Sequence, residues 1–403
     1  MVEAWQSDRR RTFQPDDACL KCTLCVTACP VYRAEPLFAG PKALGPEWHR
    51  AHLANPAVPA TAHVDDCTFC QLCEAACPAG VPVAHLIARH KATRRTGVAR
   101  TLRDHVLARP HLVARAPALA GLSGPLVPLA GLSRHARRPR VQDFRGFGPS
   151  RRRGARGIVA LYVDCFTRAY DGPAAEAAVR LLADWGFEVA PVPRDSSCCG
   201  AAAYAAGQPA AAQQIAAQAA KRLNIPAAAT ALVTLNATCD GTLRDDWQTF
   251  GIPLPLPIVP FAEFALSEAP AAFWEQLAQA SSLVSAPTGS LFVHTTCRAK
   301  VSRGEGTLMA LVRRAGAGPA ERLDLECCGA AGSYAFKSEH EGVARRLGSL
   351  AGQQVGGRPG RLLVDSGTCA LHLGQMTGLQ PMHPARWLAE SRWPAPGRAP
   401  SVG

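Results

Sequence analysis

Eight cysteines near the N-terminus form one pattern written twice: Cys19-x-x-Cys22-x-x-Cys25-x-x-x-Cys29-Pro30, then Cys67-x-x-Cys70-x-x-Cys73-x-x-x-Cys77-Pro78. A loop of this spacing wraps three thiolates around three iron corners of a cube and leaves before it can close on the fourth. The last cysteine of each run therefore crosses to the other cube. The spacing predicts a first [4Fe–4S] cluster on Cys19, Cys22, Cys25 and Cys77, and a second on Cys67, Cys70, Cys73 and Cys29. Pro30 and Pro78 set the backbone direction just past the last ligand. Zinc also takes Cys-x-x-Cys pairs, but as two pairs, not as runs of four closed by Cys-Pro.

Ligand use presumes reduced thiols. Sixteen cysteines in 403 residues could also describe a disulfide framework, but such chains are shorter and begin with a secretion signal. The one candidate, Arg10-Arg11-Thr12-Phe13, is followed by Gln14-Pro15-Asp16-Asp17 and not by an apolar run. A cytoplasmic location is expected, peripheral on the inner face of the cell membrane.

The formal charge of +13 is local. Residues 89–156 hold 17 Arg or Lys against Asp104 and Asp143, a net +15, which leaves the remainder at −2. Basicity confined to one connector argues against nucleic acid as a partner, since that requires a basic face across a domain. Hydrophobic residues at 48% and charged residues at 19% suit a soluble globular protein, and no run is long enough to span a bilayer.

The chain reads as a multidomain α+β protein. A mainly helical two-cluster ferredoxin-type domain occupies 1–100, with a helix expected from Val83 to Arg95. A basic connector follows over 101–156. Its centre, Ala116 to Ser133, is uncharged and bracketed by arginines, and reads equally as a loop packed on the protein or as a segment on an anionic membrane surface. Two pseudo-symmetric α/β lobes complete the chain over 157–285 and 286–403.

Each lobe repeats one layout. A β run ends in cysteine, at Ile158 to Cys165 and Leu291 to Cys297; a Cys-Cys-Gly follows, at Cys198-Cys199-Gly200 and Cys327-Cys328-Gly329; a second β run ends in Thr-Cys, at Cys239 and Cys369. Small buried residues could account for one such set, but a repeated four-cysteine layout points to further cluster ligands: Cys165, Cys198, Cys199 and Cys239, with Cys297, Cys327, Cys328 and Cys369. The glycine after each pair would let backbone N–H groups approach a sulfide or an anion.

On these residues the chain resembles the Cys-Cys-Gly-domain iron–sulfur oxidoreductases. That family includes heterodisulfide reductase catalytic subunits, the iron–sulfur subunits of glycolate oxidase and lactate-utilisation systems, and the C subunits of anaerobic glycerol-3-phosphate dehydrogenases. The element Gly40-Pro41-Lys42-Ala-Leu-Gly45-Pro46 and the stretch Cys327 to Lys337 point to the last group, although the first has no evident chemical role. The resemblance implies an electron-transfer subunit that takes electrons from a separate flavin-containing dehydrogenase and passes them toward membrane quinone. A glycolate or lactate oxidase subunit is the alternative, and a zinc- or nucleic-acid-binding module is the reading of another class. One departure stands out: where heterodisulfide reductases carry a fifth cysteine per lobe, this chain has Asn236 and Ser366. Four thiolates per lobe leave room for one further iron–sulfur cluster but not for the five-cysteine kind. His294, three residues before Cys297, is read as a hydrogen-bonded strand residue, with a ligand role as the alternative.

Overall fold

A computed structural model describes residues 18–94, 97–107, 131–133, 141–142, 144, 146, 155–190, 198–223, 225–283 and 289–393. Most of the uncharged centre of the connector lies outside these residues. Its last three, 131–133, pack on the second lobe: Leu132 bridges Lys337, and the Ser133 N–H donates to the Phe336 carbonyl at 2.9 Å.

Both cysteine runs fold alike. Each begins as a loop and closes as a short helix, α1 (Leu24–Thr27) and α2 (Leu72–Ala75). In the first, Lys21 and Thr23 flank Cys22 with φ of 58° and 67°; in the second, Phe69 and Gln71 flank Cys70 with φ of 55° and 63°. Left-handed backbone at a non-glycine residue costs about 1–2 kcal/mol. Four such residues at matching places mark loops bent around something.

The expected long helix is α3 (Val83–Ala92). It stops short of Arg95 because Thr93 caps it, its hydroxyl donating to the His90 carbonyl at 2.8 Å. The next helix, α4 (Val98–Leu107), runs through the expected domain boundary at residue 100. Described basic residues from this region are tied down within the molecule. Arg100 pairs with Asp65 at 2.8 Å and Arg103 with Glu339 at 2.6 Å, while Lys91 donates to the carbonyls of Cys67 and Ala205.

The two lobes each contain a four-stranded parallel sheet of the same order. The first is β2-β1-β3-β4, from β1 (Gly157–Tyr162), β2 (Phe187–Val189), β3 (Ala229–Thr234) and β4 (Ile258–Pro260). The second is β6-β5-β7-β8, from β5 (Ser290–His294), β6 (Ala320–Arg322), β7 (Gly360–Val364) and β8 (Gln380–Met382). Continuous apolar strands such as Ile158-Val159-Ala160-Leu161 suit a parallel sheet covered on both faces. The lobes are not separate bodies. Val159, Val233, Val293 and Leu363 share one core with Trp185 and Trp387.

The expected β runs end before their cysteines. Asp164, Asn236, Thr296 and Ser366 stand at helix N-caps, so Cys165, Cys239, Cys297 and Cys369 all sit in first turns. The dicluster domain seats on both lobes at once. Val83, Leu86 and Ile87 of α3 share a core with Tyr204, Ala212 and Ile215 of the first lobe and with Tyr334, Val343 and Leu347 of the second.

Candidate iron–sulfur and thiol centres

Cys19, Cys22, Cys25 and Cys77 line one cavity; Cys29, Cys67, Cys70 and Cys73 line another. Four convergent thiols, loops bent to the left-handed region and apolar walls fit a cubane in each. Burial pushes the Cys29 thiol up to about 12, and burial also lifts Cys70 and Cys73 well above the ordinary thiol range. Thiols this reluctant to ionise alone are stabilised as thiolates by a bound cation.

The cradles differ in exposure. Cys22 is exposed, beside Leu20 and Leu24, which are 69% and 48% exposed. Cys70 and Cys73 are buried. Between the cradles runs the element that sequence reasoning left without a role: Pro41 lines the buried cavity, while Lys42 and Pro46 line the exposed one. Gly40 adopts φ of +87°, and a Cβ there would meet the Tyr32 ring at 3.0 Å. The Gly-Pro-Lys element is thus the shared wall of two cradles, a role that only three-dimensional placement reveals.

The eight lobe cysteines gather into two quartets. In the first lobe Cys199 and Cys239 have sulfurs 3.3 Å apart, and Cys165 hydrogen-bonds Cys198. In the second, Cys328 and Cys369 have sulfurs 2.9 Å apart, and Cys327 hydrogen-bonds both Cys297 and Cys328. Unlike the N-terminal sets, these thiols touch one another. Hydrogen bonds from Cys297 and Cys328 favour the Cys327 thiolate and hold its pKa well below the ordinary value.

Cys327 also faces the dicluster domain. Its sulfur lies 3.9 Å from the Thr68 hydroxyl, in the loop between Cys67 and Cys70, and its charge raises the pKa of Cys70. The buried cradle and the second-lobe thiols are therefore contiguous.

The glycines of the Cys-Cys-Gly motifs also have a packing role. Gly200 and Gly329 have φ of +89° and +84°, and a Cβ on either would meet a helix carbonyl, Ala212 O at 2.8 Å or Ala344 O at 2.5 Å. They let the cysteine loop press against a helix backbone. Gly329 also donates its N–H to a sulfur, Cys327 at 3.4 Å.

Asn236 and Ser366 meet at the lobe interface. The Ala237 N–H donates to the Asp365 carbonyl at 2.9 Å, Thr238 Oγ1 lies 3.5 Å from Ser366 Oγ, and the Asn236 amide donates to Asp164 at 3.2 Å. Asn236 and Ser366 thus stand at equivalent N-cap positions whose neighbours meet across the two halves. His294 departs from the strand reading in one respect: it ends β5 fully buried, but neither ring nitrogen has a hydrogen-bond partner among the described residues.

Comparison with known proteins agrees with this layout. Residues 16–81 match the 4Fe-4S dicluster domain, and residues 159–244 and 291–374 match the cysteine-rich domain. The C subunit of anaerobic glycerol-3-phosphate dehydrogenase from Escherichia coli K12 is 27% identical over 93% of this chain and 98% of its own length. The fumarate reductase iron–sulfur subunit of Mycobacterium tuberculosis is 38% identical over 21% of this chain and 37% of its own. Among the described residues, no helix is long and apolar enough to cross a membrane.

Proposed function

The chain carries a 4Fe-4S dicluster domain and a duplicated cysteine-rich domain, and on that premise we propose that it is the electron-transfer subunit of an oxidoreductase like anaerobic glycerol-3-phosphate dehydrogenase. The observation that carries the proposal is the contact of Cys327 with the loop of the buried cradle. A stand-alone ferredoxin has no need of such a joint; a relay to a second thiol-rich centre does.

Bound in the two cradles, cubanes would supply one-electron carriers at potentials set by hydrogen bonds and burial. Cys19, Cys22, Cys25 and Cys77 would hold one, Cys67, Cys70, Cys73 and Cys29 the other. Cys22, Leu20 and Leu24 offer an accessible edge where a flavin-containing dehydrogenase subunit would dock. Phe69, Gly329 and Val81 direct backbone N–H groups at the sulfurs of Cys67, Cys327 and Cys77, at 3.4–3.5 Å, which favours the more negative, reduced state. Thr68 and Cys327 form the exit toward the lobes, and membrane quinone is the acceptor the reading implies. The basic connector would bring the protein to an anionic inner membrane face.

The test is reduction of the anaerobic chain by candidate dehydrogenases. Bleaching of its visible absorbance by a flavin-containing glycerol-3-phosphate dehydrogenase with its substrate supports the assignment. Bleaching only by a glycolate or lactate dehydrogenase would transfer the subunit to those systems. A colourless protein with stoichiometric zinc would overturn the redox reading.

A further inference from the structure

The two lobes repeat one layout, but their first strands end in different buried residues. β1 ends at Tyr162 and β5 at His294, each three residues before the cysteine that opens the next helix. Each pairs with the equivalent neighbouring strand, Tyr162 opposite Thr234 and His294 opposite Val364.

His294 is 0% exposed, and both its nitrogens lack a hydrogen-bond partner among the described residues. Burying a polar group unpaired costs about 1–3 kcal/mol, so such groups normally have a partner. One ring nitrogen and the sulfurs of Cys328 and Cys369 all lie within 4.8 Å of one another. Cys327, hydrogen-bonded to Cys328, stands beside them. One imidazole with two or three thiolates is the donor set of tetrahedral zinc or of iron.

The sulfurs also indicate nuclearity. Cysteines of the N-terminal cradles ring cavities, whereas Cys328 and Cys369 touch at 2.9 Å. Contacting thiols converge on one ion more readily than on a cube with its own sulfides. The five-cysteine cluster does not fit either, since Ser366 stands where the fifth thiol would be needed and its hydroxyl lies 3.5 Å from Thr238 Oγ1.

We propose that His294, Cys328 and Cys369 bind a single thiophilic divalent ion, Zn²⁺ or Fe²⁺, and that the first lobe holds none because Tyr162 replaces the imidazole. A phenol is a poorer donor to such an ion than an imidazole. The second lobe is thus a metal centre and the first its thiol-only counterpart. This inference is separate from the relay reading and rests on the lobe geometry alone.

Iron, zinc and acid-labile sulfide are counted on the anaerobically purified full chain and on His294→Tyr. The unaltered protein should hold about eight irons and eight sulfides, the content of two cubes, plus one zinc or one iron without matching sulfide. His294→Tyr should lose that extra ion and keep the cubes. Absence of the extra ion, its retention in His294→Tyr, or a joint rise of iron and sulfide by about four, the content of a third cube, would overturn the proposal. Loss of the cubes with the extra ion intact would sink the two-cluster reading and leave this one standing. Should His294→Tyr not fold, cobalt-grown wild-type protein decides by X-ray absorption at the cobalt edge. One nitrogen among the sulfur neighbours supports the site, and sulfur alone refutes it.

Discussion

Gln71, next to the cluster ligand Cys70, donates its side-chain amide to Asp246 of the first lobe at 3.2 Å. The other oxygen of the same carboxylate accepts from Arg298 of the second lobe at 3.1 Å, and His85 of the dicluster domain lies 3.6 Å away. A single fully buried acid therefore joins all three domains. Gly241 makes room for the arginine, since a Cβ there would come within 2.9 Å of its guanidinium.

Removing that acid should be severe. Asp246→Ala strips buried Arg298 of the carboxylate it is ion-paired with, which costs roughly 3–5 kcal/mol. Thermal unfolding followed by loss of visible absorbance should shift steeply downward. Asp246→Asn, which keeps the Gln71 contact but not the charge, should lose less; equal losses would show that the charge carries the whole effect, and no loss in Asp246→Asn that the charge is unimportant.

The ligand crossover can be tested by combining substitutions. Cys22→Ser with Cys77→Ser should remove one cube and leave about four irons. Cys22→Ser with Cys29→Ser should disrupt both and leave almost none. Without crossover the two pairings would exchange results.

The motif glycines should resist replacement. Gly329→Ala combines a left-handed residue with a Cβ 2.5 Å from the Ala344 carbonyl, and should destabilise by roughly 2–3 kcal/mol. Gly200→Ala, whose Cβ would lie 2.8 Å from the Ala212 carbonyl, should cost less. Midpoints of urea unfolding would rank them, and the reverse order would contradict the geometry.

His383 should make stability fall in mild acid. It joins the lobes by donating from Nε2 to the Leu235 carbonyl at 2.6 Å, while Nδ1 accepts from the Ala385 N–H at 3.1 Å. Both nitrogens are used by the neutral ring, and burial lowers its pKa to about 4. The unfolded ring binds its proton near pH 6.5, so its contribution is complete above that value and is lost as pH falls toward 4. Between pH 7.5 and 5.5 the loss is about 1 kcal/mol. Melting at several pH values should show a shallower acid decline in His383→Asn than in wild type.

Much of the layout could be read from spacing because iron ligation and strand repetition are local. The two Cys-x-x-Cys-x-x-Cys runs, the duplicated lobes and the α3 region all follow from residues close together in the chain. Asn236 and Ser366 were visible as replacements, but their use as N-caps at the lobe interface was not, since Thr238 and Ser366 stand 128 residues apart in sequence. His294 looked like an ordinary strand residue because nothing local reveals that its nitrogens lack partners. The Gly-Pro-Lys element looked arbitrary because its function is to separate two cavities formed by other segments.

Sequence spacing by itself sets the expectation of two interleaved ligand sets among the eight N-terminal cysteines, because a short loop around a cube cannot close on its fourth corner. Tertiary structure decided where those sets sit. Packing of α3 against both lobes buries one cradle, leaves Cys22 at the surface, and brings Cys327 to the Thr68 hydroxyl across 259 residues of chain. Ligand spacing is a property of a dozen consecutive residues, whereas the joint between cradle and lobes depends on three domains meeting around Asp246.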